Sequence, residues 1–198
     1  MDTKIKKRLI VGMSGASGVI YGIRLLQCLK DVPNIETHLV MSSSARLNIK
    51  IETDWEPDAV TSLADVVHNF RNVAASISSG SFKTDGMVVA PCSMKTLSGI
   101  VHSYADNLLL RAADVVLKER RRLVVVARET PLHTGHCRLL YEASSLGIII
   151  APPVPAFYNN PKTIDDIVNH TVGRLLDLFD IEAGIMKRWQ GNTRTNGA

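Results

Sequence analysis

Three short turns rich in hydroxyl side chains follow apolar runs, and they carry the clearest chemical signal in the sequence. They are GMSGASG at 12–18, MSSSA at 41–45 and PCSMKT at 91–96. A turn of this kind opens a helix, where unpaired backbone N–H groups and the helix dipole favour an anion. Serine is also a common helix cap, but three such turns at one sheet edge predict a site for a phosphorylated ligand.

Two further segments place charged or aromatic side chains directly after apolar runs. Arg128 and Glu129 follow RLVVVA at 122–127, a position where core packing would not need charge. The guanidinium of Arg128 offers a fork to a phosphate, and the carboxylate of Glu129 offers a proton acceptor. A Pro-rich loop, APPVPAFYNNP, presents Phe157 and Tyr158. These side chains add a cation, a base and aromatic faces to the candidate site.

Several well-known motifs are missing from the sequence. The first turn does not have the G-x-G-x-x-G spacing, no lysine follows it as in a Walker motif, and no serine stands centrally in G-x-S-x-G. Cys28, Cys92 and Cys137 form no CxxC pair, and His133 and His136 have no evident third ligand. We therefore expect no metal site, and we expect Cys92 to be a buried small hydrophobe.

Charge and composition narrow the range of partners and locations. The formal net charge is +4, but the basic residues are scattered apart from KIKKR at 4–8 and KERRR at 118–122. Aromatic residues make up 5% of the chain, which leaves few rings to stack on bases, so we expect no nucleic acid partner. We find neither a signal peptide nor an apolar run long enough to span a bilayer. These features favour a reducing cytoplasm and an anionic small molecule as ligand.

Hydrophobic periodicity alternates between strands and helices along the chain. Apolar runs of strand length lie at 8–13, 37–42, 86–91, 122–127 and 147–152, and helical patterns lie at 17–30, 106–119 and 163–179. This alternation predicts an α/β fold, a doubly wound parallel sheet in a single domain. Ligands of such a sheet bind beyond the carboxyl ends of the strands, where the hydroxyl-rich turns stand.

The two weakest stretches of the pattern lie in the first half of the chain and at its end. Residues 53–82 suggest a helix, a short strand and a mobile loop. We assign residues 1–190 to the single domain, and we expect 191–198, GNTRTNGA, to be a disordered tail because it lacks apolar anchors.

Together the motifs resemble the UbiX-like flavin prenyltransferases, formerly called phenylacrylic acid decarboxylases. The resemblance covers about residues 8–189, through GMSGASG, ETD at 52–54, PCSMKTLSGI, NLLLRAADVVLKERR, ARETP and PAFYNNP. Within the family, the chain looks most similar to the B subunit of bacterial hydroxyarylic (phenolic) acid decarboxylase systems.

The resemblance implies a flavodoxin-like, Rossmann-like fold that binds FMN and forms a homododecamer with sites at subunit interfaces. It implies metal-independent transfer of a dimethylallyl group from dimethylallyl phosphate to N5 and C6 of reduced FMN. The product, prenylated FMN, would serve a separate UbiD-like decarboxylase acting on aromatic acids.

The resemblance also assigns roles to individual residues. It places the flavin against three turns and a strand end, through Gly15, Ala16, Ser17, Ser42, Ser93, Met94, Lys95, Thr96 and Arg128. It places the donor phosphate at Lys118, Tyr158 and Arg174, with Arg128 and Ser17 in reach. Glu52 and Glu129 match the two acids of the family, and with Lys118 and Ser17 they form the expected catalytic set.

Alternatives remain for both the residues and the function. Lys118 and Arg174 lie on predicted helices, where exposed cations are common, and Glu52 could simply begin a loop. An FMN-dependent decarboxylase acting directly on an aromatic acid or a peptidyl cysteine would share the fold. A non-catalytic flavin carrier would share the FMN site, although it would not need the second phosphate site.

Overall fold

The computed structural model describes residues 6–186 and residue 188. Almost all of the predicted domain lies within this range. The expected disordered tail, 191–198, lies outside the described residues.

Six parallel strands form one sheet in the order β3-β2-β1-β4-β5-β6. The strands are β1 (Lys7–Met13), β2 (Ile35–Met41), β3 (Val66–His68), β4 (Gly86–Cys92), β5 (Arg122–Ala127) and β6 (Ile149–Ile150). The order reverses between β1 and β4, so the carboxyl ends of these two strands mark the switch point where ligands bind in doubly wound folds. The predicted fold class is confirmed.

Seven α-helices flank the sheet in the described part of the chain. They are α1 (Val19–Lys30), α2 (Ser43–Glu52), α3 (Pro57–Thr61), α4 (Met94–Val101), α5 (Leu108–Lys118), α6 (Thr134–Ser145) and α7 (Ile164–Asp177). Side-chain caps fix where the predicted helices begin. Asn107 accepts a hydrogen bond from the Leu110 N–H at the start of α5, and Thr163 forms a capping box with Asp166 at the start of α7.

Two apolar layers bury both faces of the sheet. On β1, Leu9, Val11 and Met13 point towards α1, α2 and α7, whereas Ile10 points towards α4, α5 and α6. Strands covered on both faces read as continuous apolar runs, which explains why the sequence shows them so clearly.

Cys92 ends β4 and lies fully inside the second apolar layer. Burial raises the pKa of its thiol to about 12, so the reactive thiolate is scarce at neutral pH. The prediction that Cys92 packs as a small hydrophobe is confirmed.

Candidate functional site

A cleft of about 1070 Å³ opens at the switch point, beyond the carboxyl ends of β1, β2 and β4. All three hydroxyl-rich turns contribute to its walls. The lining residues are Gly15, Ser42, Ser43, Ser44, Phe70, Arg71, Ser93, Lys95, Thr96, Ser98, Gly99, His102, Tyr104, Asp106, Asn107 and Leu110. The cleft therefore gathers five of the nine predicted flavin contacts, whereas Ala16, Ser17, Met94 and Arg128 do not line it.

A buried serine joins the first turn to the third. Ser14 is 2% exposed, and its hydroxyl donates to the Pro91 carbonyl at 3.0 Å and accepts from the Ser93 N–H at 2.8 Å. This hydroxyl therefore links β1 to β4 both as a donor and as an acceptor. Our sequence analysis missed Ser14 as a positioning residue, although a serine between a buried strand and a glycine was the available signal.

The second and third turns each begin a helix with a capped serine. The Ser42 hydroxyl accepts from the Ala45 N–H at 3.1 Å, and the Ser93 hydroxyl accepts from the Thr96 N–H at 3.2 Å. These side chains therefore act as helix caps, the alternative reading of such turns. The caps leave other donors for a ligand, because four N–H groups have no acceptor among the described residues. They belong to Ser43, Ser44, Met94 and Lys95.

Close packing of the first turn against the second explains Gly15. A Cβ at this position would lie 2.4 Å from the Ser44 Cβ, far inside van der Waals contact. The Asn48 side chain supports the same turn by donating to the Ala16 carbonyl at 3.1 Å. The two turns can therefore lie against each other, with their backbone donors in one row, only because residue 15 has no side chain.

Glu52 already provides an anion at the start of α1. It is the last residue of α2, and its carboxylate accepts from the Gly18 N–H at 2.8 Å and the Val19 N–H at 3.2 Å. These two N–H groups are therefore not available to a ligand phosphate, and the flavin contacts predicted for this turn, Gly15, Ala16 and Ser17, stay a prediction. Among the ligand-facing donors of the first turn, the N–H groups of Gly15 and Ser17 have no acceptor among the described residues.

Arg128 and Glu129 leave β5 at the same sheet edge. The Arg128 N–H donates to the Cys92 carbonyl at 3.1 Å, which fixes its backbone beside the third turn. Both residues are exposed, and one Glu129 oxygen accepts from the Thr130 N–H at 3.0 Å. The backbone of Arg128 therefore lies beside the third turn, but neither Arg128 nor Glu129 lines the cleft, and their roles stay a prediction.

Tyr158 and Arg174 lie with α7, on the sheet face opposite α4 and α5. The Tyr158 hydroxyl forms a 2.9 Å hydrogen bond with His170 Nε2. Arg174 donates to Asp177 at 2.9 Å. Neither residue lines the cleft.

Lys118 lies at the opposite edge of the sheet. It ends α5, four residues before β5 begins at Arg122, whereas Arg128 follows the other end of β5. The six residues of this strand separate the two edges by about 20 Å. The Lys118 ammonium pairs with Glu119 at 2.6 Å, and this contact lowers the pKa of the glutamate. A single chain therefore does not assemble the predicted phosphate cage.

Comparison with known proteins agrees with this geometry. A family model described as Flavoprotein matches residues 1–176. The flavin prenyltransferase UbiX of Escherichia coli (strain K12) is 63% identical over 187 residues, which cover 93% of this chain and 99% of that protein. The chain belongs to the UbiX-like flavin prenyltransferases.

Two solved structures of similar proteins superpose closely on this flavin prenyltransferase. AnUbiX (PadA1), in complex with FMN and dimethylallyl pyrophosphate, gives a TM-score of 0.92 at 52% identity and covers 94% of this chain and 99% of its own. A dodecameric FMN-dependent UbiX-like decarboxylase from Escherichia coli O157:H7 gives 0.91 at 56% identity, covering 93% and 100%. The predicted family is confirmed, while the placement near phenolic acid decarboxylase B subunits stays a prediction.

The cleft of this flavin prenyltransferase fits FMN in size and in donors. Ligand sites of this type commonly enclose roughly 300–1,000 Å³. Unpaired backbone N–H groups at the starts of α2 and α4 suit a phosphate, and the rings of Phe70 and Tyr104 add flat apolar surface. Met94 is 8% exposed, so it would contribute its N–H group while its side chain packs below.

Several cleft residues escaped the sequence analysis. Phe70 and Arg71 come from the loop after β3, and Tyr104, Asp106 and Asn107 precede α5. They lie in irregular segments, where no periodicity reports which way a side chain points. Only a set of related sequences or a structure could have identified them.

Across residues 6–186 and 188, no group of three or more His, Cys, Asp or Glu side chains has the geometry to hold a metal ion. No helix in this part of the chain is both long and apolar enough to cross a bilayer.

Proposed function

We propose that this chain joins a dimethylallyl group from dimethylallyl phosphate to N5 and C6 of reduced FMN. The observation that carries the proposal is the cleft lined by three donor-rich turns, with the backbone of Arg128 fixed beside the third of them. The relative crystallised with FMN and dimethylallyl pyrophosphate supports both ligands. Reduced FMN, when bound, supplies the nucleophilic ring atoms to which the prenyl carbons are joined.

The chain's first task is to hold and orient the flavin. We assign this role to Gly15, Ala16, Ser17, Ser42, Ser93, Met94, Lys95, Thr96 and Arg128. Backbone N–H groups of the turns bind the phosphate, and the packed turns exclude water from one side of the ring system. Glu52 contributes by bonding the start of α1 and thereby holding the first turn in place.

The second task is to stabilise the leaving phosphate. Breaking the allylic C–O bond creates an inorganic phosphate and a delocalised cation, and preorganised positive charge lowers that barrier. Arg128, Arg174 and Lys118 supply this charge, and Tyr158 and Ser17 supply hydroxyl donors. The faces of Trp55, Phe157 and Tyr158 can protect the cation from water.

The third task is to accept a proton when the new ring closes. Glu129 stands exposed at the end of β5 with one oxygen bonded to the Thr130 N–H. We assign the proton to this carboxylate, with the released phosphate as the competing acceptor.

Assembly completes the site in this proposal. The chain forms a homo-oligomer, a dodecamer like that of the relative from Escherichia coli O157:H7, and neighbours bring Lys118, Tyr158 and Arg174 to the cleft. Large apolar side chains near Tyr158 are strongly exposed in the single chain, with Phe157 at 73% and Val154 at 69%. Their burial in an interface would favour such an assembly.

The use of the product and the place of the reaction are further parts of this proposal. Prenylated FMN would pass to a separate UbiD-like decarboxylase acting on aromatic, and specifically phenolic, acids. The cysteines Cys28, Cys92 and Cys137 are all unpaired, which supports a reducing cytoplasm as the place of action.

One anaerobic reaction tests the proposal. Purified protein is mixed with FMN, a reductant and dimethylallyl phosphate, and the extracted flavin is analysed by mass. A gain of one C₅H₈ unit supports the transferase. Bound but unmodified FMN would favour a flavin carrier or a direct decarboxylase, and loss of carboxylate from added aromatic acids would then separate those two.

A further inference from the structure

A histidine of α7 contacts the tyrosine that we place at the donor phosphate. His170 Nε2 lies 2.9 Å from the Tyr158 hydroxyl oxygen, and the two rings meet edge to face at 5.6 Å between centroids. Arg174, the cation that we place at the same phosphate, follows His170 by one helical turn. The three side chains therefore form one polar strip along α7.

The direction of this hydrogen bond decides what Tyr158 can offer to an anion. A phenol has one proton to donate. If Tyr158 donates to His170, its oxygen presents lone pairs outwards, which repel a phosphate. If His170 Nε2 carries a proton and donates to the tyrosine oxygen, the phenol proton can turn to the phosphate.

The charge state of His170 makes this choice a matter of tautomer. Burial lowers the pKa of the imidazole, and the positive charge of Arg174 lowers it further. A neutral imidazole has one N–H and one acceptor nitrogen, so the tautomer of His170 decides which partner donates in this bond.

We propose that His170 is a positioning residue for prenyl phosphate: it donates from Nε2 to the Tyr158 oxygen and directs the phenol proton to the phosphate. The proposal rests on the proposed function, in which Tyr158 and Arg174 hold the donor. His170 does not touch the phosphate itself, and it acts only through Tyr158.

A double-mutant cycle tests this arrangement. The variants are His170→Phe, which keeps the ring shape without a donor, His170→Gln, which keeps an amide donor, Tyr158→Phe, and the double phenylalanine variant. Dimethylallyl phosphate is titrated against each protein with oxidised FMN bound, and kcat and KM are measured anaerobically with reduced FMN. FMN affinity and melting temperature report whether each variant folds.

We expect His170→Phe to weaken dimethylallyl phosphate binding and raise KM by roughly tenfold, the effect of one hydrogen bond to a charged group. FMN affinity and kcat should stay within about twofold, and His170→Gln should bind like the parent. In the Tyr158→Phe background, His170→Phe should add no further loss, because the histidine then has no hydroxyl to orient.

Two results would overturn the inference while leaving prenyl transfer intact. One is an equal loss from His170→Phe with and without the Tyr158 hydroxyl. The other is a Tyr158→Phe variant that binds the donor normally, which would remove Tyr158 from the phosphate site. Failure of the parent protein to add C₅H₈ to FMN would instead refute the proposed function, so the two failures are distinguishable.

Discussion

Glu129 is the residue for which sequence and structure make the sharpest chemical claim. It follows Arg128 after the end of β5, and it is exposed. We predict that Glu129→Gln binds FMN like the parent but forms prenylated product at least about 100-fold more slowly, because an amide cannot accept the proton. Anaerobic product formation followed by mass measures the effect.

A matched substitution controls for loss of charge. Glu182 is exposed and lies outside the cleft, so Glu182→Gln should react at the parental rate. Unchanged turnover in Glu129→Gln would assign the proton to the released phosphate.

Gly15 permits the close contact between the first two turns. We predict that Gly15→Ala weakens FMN binding by tenfold or more, since the new Cβ would lie 2.4 Å from the Ser44 Cβ and push the turns apart. The double variant Gly15→Ala/Ser44→Gly removes the clashing atom and keeps the Ser44 backbone N–H. It should recover most of the affinity in a flavin fluorescence titration, and a double variant as weak as Gly15→Ala would show that space between the turns is not the cause.

At the scale of elements, Glu52 ties the end of α2 to the start of α1. Its carboxylate accepts from two backbone N–H groups where the helix dipole is positive. We predict that Glu52→Gln lowers the melting temperature by about 1–3 °C, the loss of one charge at a helix start in a chain of this size. Calorimetry at fixed protein concentration without flavin measures the shift.

Glu56→Gln is the local control for this prediction. Glu56 pairs with Lys50 at 3.4 Å in an exposed position, where ion pairs contribute little to stability. The melting temperature of Glu56→Gln should therefore equal that of the parent. An equal drop in both variants would show that Glu52 contributes no more than surface charge. Glu52→Gln can also be assayed for prenylated FMN formation at temperatures well below its melting temperature. A lower rate there would give Glu52, in addition, the catalytic role that the family resemblance implies.

The predictability of each element followed from how it is buried. The apolar runs 8–13, 86–91 and 122–127 matched β1, β4 and β5 within a residue, because these strands are covered on both faces. The run 147–152 yielded only Ile149–Ile150, since Pro152 and Pro153 cannot donate to the sheet.

Helix α6 showed no clear period in the sequence. Of its twelve residues only Ala143 is fully buried, so its apolar stripe is too narrow to stand out. The segment 53–82 contains the predicted helix and strand as α3 and β3.

The candidate site was predictable where it depends on one strand end and not where it depends on several chains or loops. Gly15, Ser42, Ser93 and Arg128 stood out because small, hydroxyl or charged residues followed apolar runs. The bond from Glu52 to α1 joins residues 34 positions apart, and no local pattern reports it. The position of Lys118 at the far edge depends on the direction of α5.

At the scale of the whole molecule, the separation of Lys118 from the cleft predicts sharing between subunits. We expect Lys118→Ala and Glu129→Gln each to be inactive alone. When both are co-expressed, about one quarter of sites should regain both residues, each drawn from a different variant chain. Product formed by the purified mixed oligomer measures this recovery.

Two controls frame the subunit experiment. Mixing the purified proteins without exchange of subunits should restore no activity, and differently tagged chains should co-purify after co-expression. Confirmed mixed oligomers that remain inactive would refute a lysine supplied by a neighbour.

Three side chains in the described part of the chain hold the first turn in shape. Ser14 ties it to β4, Asn48 supports its carbonyl, and Glu52 neutralises the helix behind it. A turn held by such bonds keeps its conformation without a ligand. Little conformational entropy is therefore lost when a flavin binds. The same rigidity matters when the flavin dissociates. A rigid turn of this kind allows modified flavin to exchange for fresh flavin without any refolding.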